Sequence, residues 1–167
     1  MFLHNVTGFM VGSKAEHAGI IKRGAQLVSA VSCSTVPHIP IIVGASYGAG
    51  NYAMCGRSYR PRFLFTWPIG RCSVMGPDQL SGVMETVQAN SAKAKGIELD
   101  PEQVKASTQA FRDRVQQDSE SYRTSASLLD DGIIDPRDTR DVIGMCLDVV
   151  QLPGVQGTAA HRVLARM

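Results

Sequence analysis

Four glycines (Gly44, Gly48, Gly50 and Gly56) crowd into the stretch from Ile41 to Gly56, between an all-apolar run and a short helical pattern. Ile41-Ile42-Val43 suits a strand buried on both faces. Gly44 to Gly50 reads as a glycine-rich turn, and Asn51 to Gly56 as the first turns of a short helix. A buried strand feeding a helix through such a turn is a unit of α/β architecture, with parallel or mixed sheet pairing. Glycine lets backbone or ligand approach closely because no side chain stands in the way. The amides that open a helix lack internal acceptors, so they can donate to an anion or to a polarised carbonyl oxygen. Taken alone, the cluster fits two readings: an amide site of the oxyanion-hole kind, or tight strand–helix packing with no ligand.

Other glycine motifs fit less well. No Gly-Lys-Ser/Thr follows, as a P-loop requires, and Ala53 stands where a dinucleotide fingerprint needs its third glycine. Ser46, in Gly-Ala-Ser-Tyr-Gly, matches the nucleophile-elbow pattern on its face. A triad of that class takes its acid and histidine from later in the chain, and His161 is the only histidine after Ser46. His4, His17, His38 and His161 show no metal-ligand spacing and are expected to be surface or hydrogen-bonded residues. Cys33, Cys55, Cys72 and Cys146 include no CxxC pair, and are expected to be buried small hydrophobes in a reducing compartment. Asp130-Asp131-Gly132 reads as a turn.

The remaining pattern supplies helices around that unit. Ser13-Lys14-Ala15-Glu16 has the form of a capping box and predicts a helix to about Ser32. Phe63 to Thr66 and Ser73 to Met75 read as strands. Gly76-Pro77 opens a helix to about Ala92, and Val104, Phe111, Val115 and Tyr122 mark one face of another from Pro101. Asp135-Pro136 predicts a capped helix start, with the helix ending near Leu152. At 167 residues, 44% of them apolar, the chain has the size and composition of one packed domain or part of one. Seventeen basic against 15 acidic residues give a net charge of +2 without long charged blocks, so no nucleic-acid partner is expected. No apolar run approaches the roughly 20 residues of a membrane span, so no membrane partner is expected either. The first residues, Met1 to Asn5, read as strand rather than as a signal peptide, the start expected of a piece of a longer chain.

Several separated motifs together resemble one family. They are Thr7-Gly8-Phe9-Met10-Val11-Gly12, Gly48-Ala49-Gly50-Asn51-Tyr52 with Met54-Cys55-Gly56-Arg57, Trp67-Pro68, Ser73-Val74-Met75-Gly76, and Asp130 to Pro136 with Asp138-Thr139-Arg140. The chain resembles the biotin-dependent acyl-CoA carboxyltransferases, and within them the methylcrotonoyl-CoA carboxylase β subunits. The Gly-Ala-Gly-Asn turn is similar to that of the methylcrotonoyl and geranoyl branch, where propionyl-CoA relatives carry Gly-Gly-Ala-Tyr.

The resemblance implies a crotonase-like (ClpP/crotonase) ββα superhelix. Residues 1–167 would be the C-terminal part of the carboxyltransferase C-domain, with the N-domain that holds most of the acyl-CoA site absent. It implies transfer of a carboxyl group from carboxybiotin to the γ-carbon of 3-methylcrotonoyl-CoA, a step of leucine degradation. By the same resemblance the backbone amides of Ala49 and Gly50 are the catalytic donors that polarise the ureido carbonyl. Gly48 shapes the turn, and Gly8 and Phe9 line the adjoining pocket; no metal is implied. The biotin nitrogen takes a proton from the acyl-CoA once CO2 has left, so the cofactor carries the hard chemistry. Biotin arrives on a partner α subunit, since no lysine here follows a methionine as in a carrier domain. Other β subunits and the acyl-CoA complete the partners, in a mitochondrial matrix or a bacterial cytoplasm. A propionyl-, geranoyl- or glutaconyl-CoA-type carboxyltransferase or decarboxylase subunit is the alternative, or a truncated non-catalytic assembly fragment. The isolated piece is expected to be inactive, with Ile41-Ile42-Val43 and Phe63-Leu64-Phe65 partly exposed where opening strands are lost.

Overall fold

Strand β2 (Pro40–Tyr47) is the hub of a four-stranded sheet in which every ladder is parallel. The computed structural model describes residues 1–96 and 100–152. β1 (Phe2–Val6) pairs with one side of β2, with Leu3 opposite Ile41 and a register shift between His4 and Val6. On the other side β2 pairs first with β3 (Phe65–Thr66) and further along with β4 (Arg71–Ser73). Parallel neighbours need long crossovers. Here α1 (Ser13–His17) and α2 (Ile20–Cys33) provide the one between β1 and β2. The mixed α/β architecture with a parallel sheet is the one expected.

β2 outruns its predicted length. The strand runs on through Gly44, Ala45 and Ser46, and the turn begins only after Tyr47. Gly44 allows this: a Cβ there would lie 2.5 Å from Asn5 Oδ1, and that oxygen accepts from the Ala45 amide at 3.3 Å. The strand's flanked position buries part of the apolar runs expected to be partly exposed: Ile41 and Leu64 are 0% and Ile42 is 3% exposed, while Val43, Phe63 and Phe65 are half-buried. Exposure falls instead on Leu3 of the β1 edge and on Met10, Val11 and Ile21.

The helix expected from Ser13 to Ser32 is two helices. Gly19 sits in the left-handed region at φ 82° and separates them. Gly12, not Ser13, is the N-cap residue of α1, and no side-chain capping bond forms. α3 (Gly48–Ala53) starts three residues earlier than predicted, directly from the strand. A small core joins Val31 of α2 to Cys55 and Tyr59, with Phe2, Val28 and Tyr52 packed on it.

α4 (Pro77–Lys95) and α5 (Pro101–Asp118) lie against each other, each with proline in its first turn, and Asp100 caps α5 through the Glu102 amide. Tyr122 does not continue the α5 face. It belongs to α6 (Ser121–Ala126) and is 67% exposed. Asp135 caps a short 3₁₀ turn (Pro136–Asp138) that leads into α7 (Thr139–Gln151). Asp130 to Ile134 is more than a turn: it runs beside β3, with Thr66 bridged in parallel to Ile133. Thr66 N donates to Gly132 O (3.1 Å), and Ile134 N donates to Thr66 O (3.0 Å). Among the described residues no helix is long and apolar enough to cross a membrane.

Candidate functional site

The C-terminal end of β2 delivers the chain into α3 without an intervening loop. Gly48 makes the change of direction at φ +52°, a conformation that disfavours other residues, and a Cβ there would lie 2.9 Å from the Val74 carbonyl. Tyr47 is the N-cap and supplies no side-chain bond. The amides of Gly48, Ala49 and Gly50, in the first turn of α3, therefore have neither an acceptor within the helix nor a side-chain cap. Ala49 is exposed, Gly48 half-buried and Gly50 buried. A Cβ on Gly50 would meet Val6 Cγ2 at 2.6 Å and Gly8 Cα at 3.3 Å, so the Thr7–Phe9 loop lies directly over the helix start.

The structure thus brings Gly8, Gly48, Ala49 and Gly50 together. Phe9 follows Gly8 on the same loop, and its ring turns away to fill the space left by Gly24 on α2. Beside the turn lies an open pocket of about 320 Å³ lined by Thr7, Tyr47, Gly76, Pro77, Asp78 and Gln79. Burial raises the Tyr47 phenol above its ordinary pKa, with the Arg71 guanidinium opposing, so Tyr47 is a neutral hydroxyl at physiological pH. The wall also carries the Asp78 carboxylate, which is paired with Arg112 at 2.6 Å.

Beneath the turn is a polar layer that the sequence alone does not place. His4 comes from β1 onto Ser46 of β2, Nδ1 to Oγ 2.8 Å, and both residues are fully buried. His4 Nε2 donates to the Met54 carbonyl at 2.7 Å, and Asn51 Nδ2 donates to Ser46 Oγ at 2.9 Å. Burial holds the imidazole below its ordinary pKa of 6.5, the Met54 bond partly opposing, so His4 is neutral. His4 lies 42 positions upstream of Ser46, on the opposite side from where the nucleophile-elbow order places its histidine. Ser46 and His4 have the separation of a nucleophile and its base, but no substrate reaches an oxygen with zero exposure. The expectation of hydrogen-bonded histidines holds for His4, and for His38 against Cys55 Sγ at 3.3 Å; His161 lies outside the described residues.

Of the cysteines, Cys55 and Cys146 are buried as expected, Cys72 is half-buried, and Cys33 is exposed at the end of α2. Burial and the nearby Asp130 carboxylate push the Cys72 thiol up to about 11, so it is protonated and unreactive at neutral pH. Asp130 is itself buried and accepts from Thr66 Oγ1 at 2.6 Å. Among the described residues no three His, Cys, Asp or Glu side chains converge in a way that could hold a metal ion. The arrangement offers amide donors at an accessible strand–helix turn, which suits the polarisation of a carbonyl oxygen.

Residues 1–160 match the family described as the carboxyl transferase domain. The chain is 49% identical over 159 residues to the probable biotin-dependent acyl-coenzyme A carboxylase beta2 subunit of Mycobacterium tuberculosis, an alignment covering 95% of this chain and 30% of that one. It is 50% identical over 147 residues to the mitochondrial methylcrotonoyl-CoA carboxylase beta chain of Arabidopsis thaliana, covering 88% of this chain and 25% of that one. Among solved structures, the beta subunit of geranyl-CoA carboxylase from P. aeruginosa matches with a TM-score of 0.83 and 38% identity, covering 98% of this chain and 31% of that one. The chain therefore spans a third or less of the length of these relatives.

Proposed function

The chain belongs to the carboxyl transferase domain family, and from that premise we propose that it forms the biotin-facing half of an acyl-CoA carboxyltransferase site. The observation that carries this reading is the uncapped first turn of α3, in which Ala49 is exposed and Gly50 lies directly beneath the Thr7–Phe9 loop. The turn suits the ureido carbonyl of biotin, which is an acceptor without charge: it offers backbone donors that no side chain caps, and Ala49 among them is exposed. Biotin supplies the activated carboxyl group and arrives on a partner subunit, as a substrate of this half-site rather than a resident group. The protein's part is to orient the ring with these amides, with Gly48 setting the turn and Gly8 and Phe9 carrying the loop above it. Preorganised amides act where negative charge develops on the carbonyl oxygen.

The acyl acceptor in this proposal is 3-methylcrotonoyl-CoA. The Arabidopsis chain and a 46% identical M. tuberculosis subunit bear the methylcrotonoyl name, while a methylmalonyl-CoA carboxyltransferase subunit is only 29% identical. The match in shape to the geranyl-CoA enzyme favours a longer branched acyl group as the second reading. The rest of the acyl site would come from the portion of the longer subunit outside this chain.

The experiment is Ala49→Pro in a full-length subunit carrying this sequence, assayed with its biotin-carrying partner on 3-methylcrotonoyl-CoA and geranoyl-CoA. Proline deletes one amide and is tolerated in a first helical turn. Turnover should fall by about 100-fold or more, the cost of one oxyanion donor, with an unchanged circular dichroism spectrum. A folded variant with near-normal turnover would refute the amide assignment. The ratio of kcat/KM for the two thioesters decides between the acyl groups.

A further inference from the structure

We infer that His4, Ser46 and Asn51 are positioning residues that aim the amides of the Gly48–Gly50 turn, an inference that rests on the reading of those amides as carbonyl-binding donors. The three side chains form one directed hydrogen-bond chain. The Met54 carbonyl can only accept, so the 2.7 Å contact places the imidazole hydrogen on His4 Nε2. The neutral ring then accepts at Nδ1, and the Ser46 hydroxyl is its donor at 2.8 Å. That commits the Ser46 oxygen to accept from Asn51 Nδ2 at 2.9 Å. The remaining Asn51 N–H faces the protonated Cys72 sulfur at 3.7 Å. Each donor has one place to go, so the chain has one arrangement.

Its anchor points explain what it fixes. α3 has six residues, too few for its own backbone bonds to hold an axis. The chain ties β1 through His4, β2 through Ser46, the body of α3 through Asn51 and the helix C-cap through Met54. Asn51 follows Gly50 directly, so a turn of Asn51 about the helix axis swings the Ala49 and Gly50 N–H directions with it. Asn51 cannot be accommodated any other way cheaply, because its amide fills the space beside Gly56, where a Cβ would collide with it. His4 and Ser46 are 0% exposed and Asn51 8%, so the set acts through the backbone and not by touching a ligand. Buried polar chains of this kind specify one geometry when every member is satisfied.

The test uses the full-length subunit with its biotin-carrying partner and the variants Ser46→Ala, Asn51→Ala and Ser46→Cys, beside Ala49→Pro. Ser46→Ala and Asn51→Ala should lower kcat by about 10- to 100-fold, the effect of misplacing a catalytic group by a fraction of its working distance. KM for the partner and for the acyl-CoA should stay within about 2-fold, the signature of an interaction felt in the transition state. Ser46→Cys keeps a donor and an acceptor and should recover most of the kcat lost in Ser46→Ala. Folded Ser46→Ala and Asn51→Ala variants with normal kcat, alongside an inactive Ala49→Pro, would overturn the positioning role and leave the amide reading standing. Equal loss in Ser46→Ala and Ser46→Cys would reduce Ser46 to packing and overturn it too. If Ser46→Ala does not fold, Asn51→Ala decides by the same kcat and KM criteria. An active, folded Ala49→Pro would refute the amide reading itself.

Discussion

His4 has no exposed surface, and its ring is held neutral by its surroundings. Desolvation lowers its pKa from 6.5, and the bond to the Met54 carbonyl only partly restores it. The sign of the linked stability follows: the unfolded chain takes up the proton first as pH falls, so His4 favours folding fully above pH 6.5. That contribution is lost as pH drops from 6.5 through the lower folded value. Urea unfolding at pH 7.5 and at pH 5.5 should therefore show a smaller loss of stability in His4→Gln than in the parent. An identical loss in both proteins would mean that His4 does not titrate between those conditions. The glycine turn was legible in the sequence because Gly48 is needed for its own backbone angle, φ +52°. The partner of Ser46 was not, since nothing near Ser46 marks a histidine 42 positions upstream as its neighbour. Only the parallel pairing of β1 with β2 brings the two together.

At the scale of elements, the segment from Asp130 to Ile134 shows how a pattern typical of a turn comes to lie along a strand, bridged to β3 at Thr66 and Ile133. Asp131 N donates to Leu64 O at 2.7 Å, and Leu64 N donates to Asp131 Oδ2 at 2.8 Å, so one residue closes both backbone groups of Leu64. Its other carboxylate oxygen meets Arg57 at 2.8 Å, with the Arg57 side chain 42% exposed. These two bonds differ in worth. Leaving the Leu64 amide unpaired should cost about 1–3 kcal/mol, whereas a solvent-exposed ion pair contributes at most about 1 kcal/mol. Asp131→Ala should accordingly destabilise the fold several times more than Arg57→Ala in chemical denaturation, and equal losses would assign the effect to the ion pair. The proline-marked starts of α4 and α5 were readable because proline fixes its own backbone angle. The break at Gly19 was hidden by an apolar spacing that continues across it, and the Ser13 cap failed because Gly12 took the capping position.

For the whole molecule, the paired side of β1 faces β2, and among the described residues no strand joins its other edge. Leu3 on that strand is 50% exposed, and Met10 and Val11, at 76% and 91%, border an open apolar hollow of about 610 Å³ at the start of α1. With domain stability of only about 5–15 kcal/mol, such an edge matters. Under the proposal of a half-site completed by a longer subunit, supplying that remaining portion in trans should raise the melting temperature of this chain and lower its tendency to associate in light scattering. An unchanged melting temperature would show that the edge is not where the remainder binds. The sheet also has a history in time. Because β1, β3 and β4 all pair with β2, no ladder can close until that one strand is in place, and the β1 ladder must span the whole of α1 and α2. Local helices rest on near neighbours, whereas the β1 ladder needs contacts between residues about 40 positions apart. The amide turn at the end of β2 thus hangs on the one strand that every ladder shares, and a substitution that weakens β2 weakens the site with it.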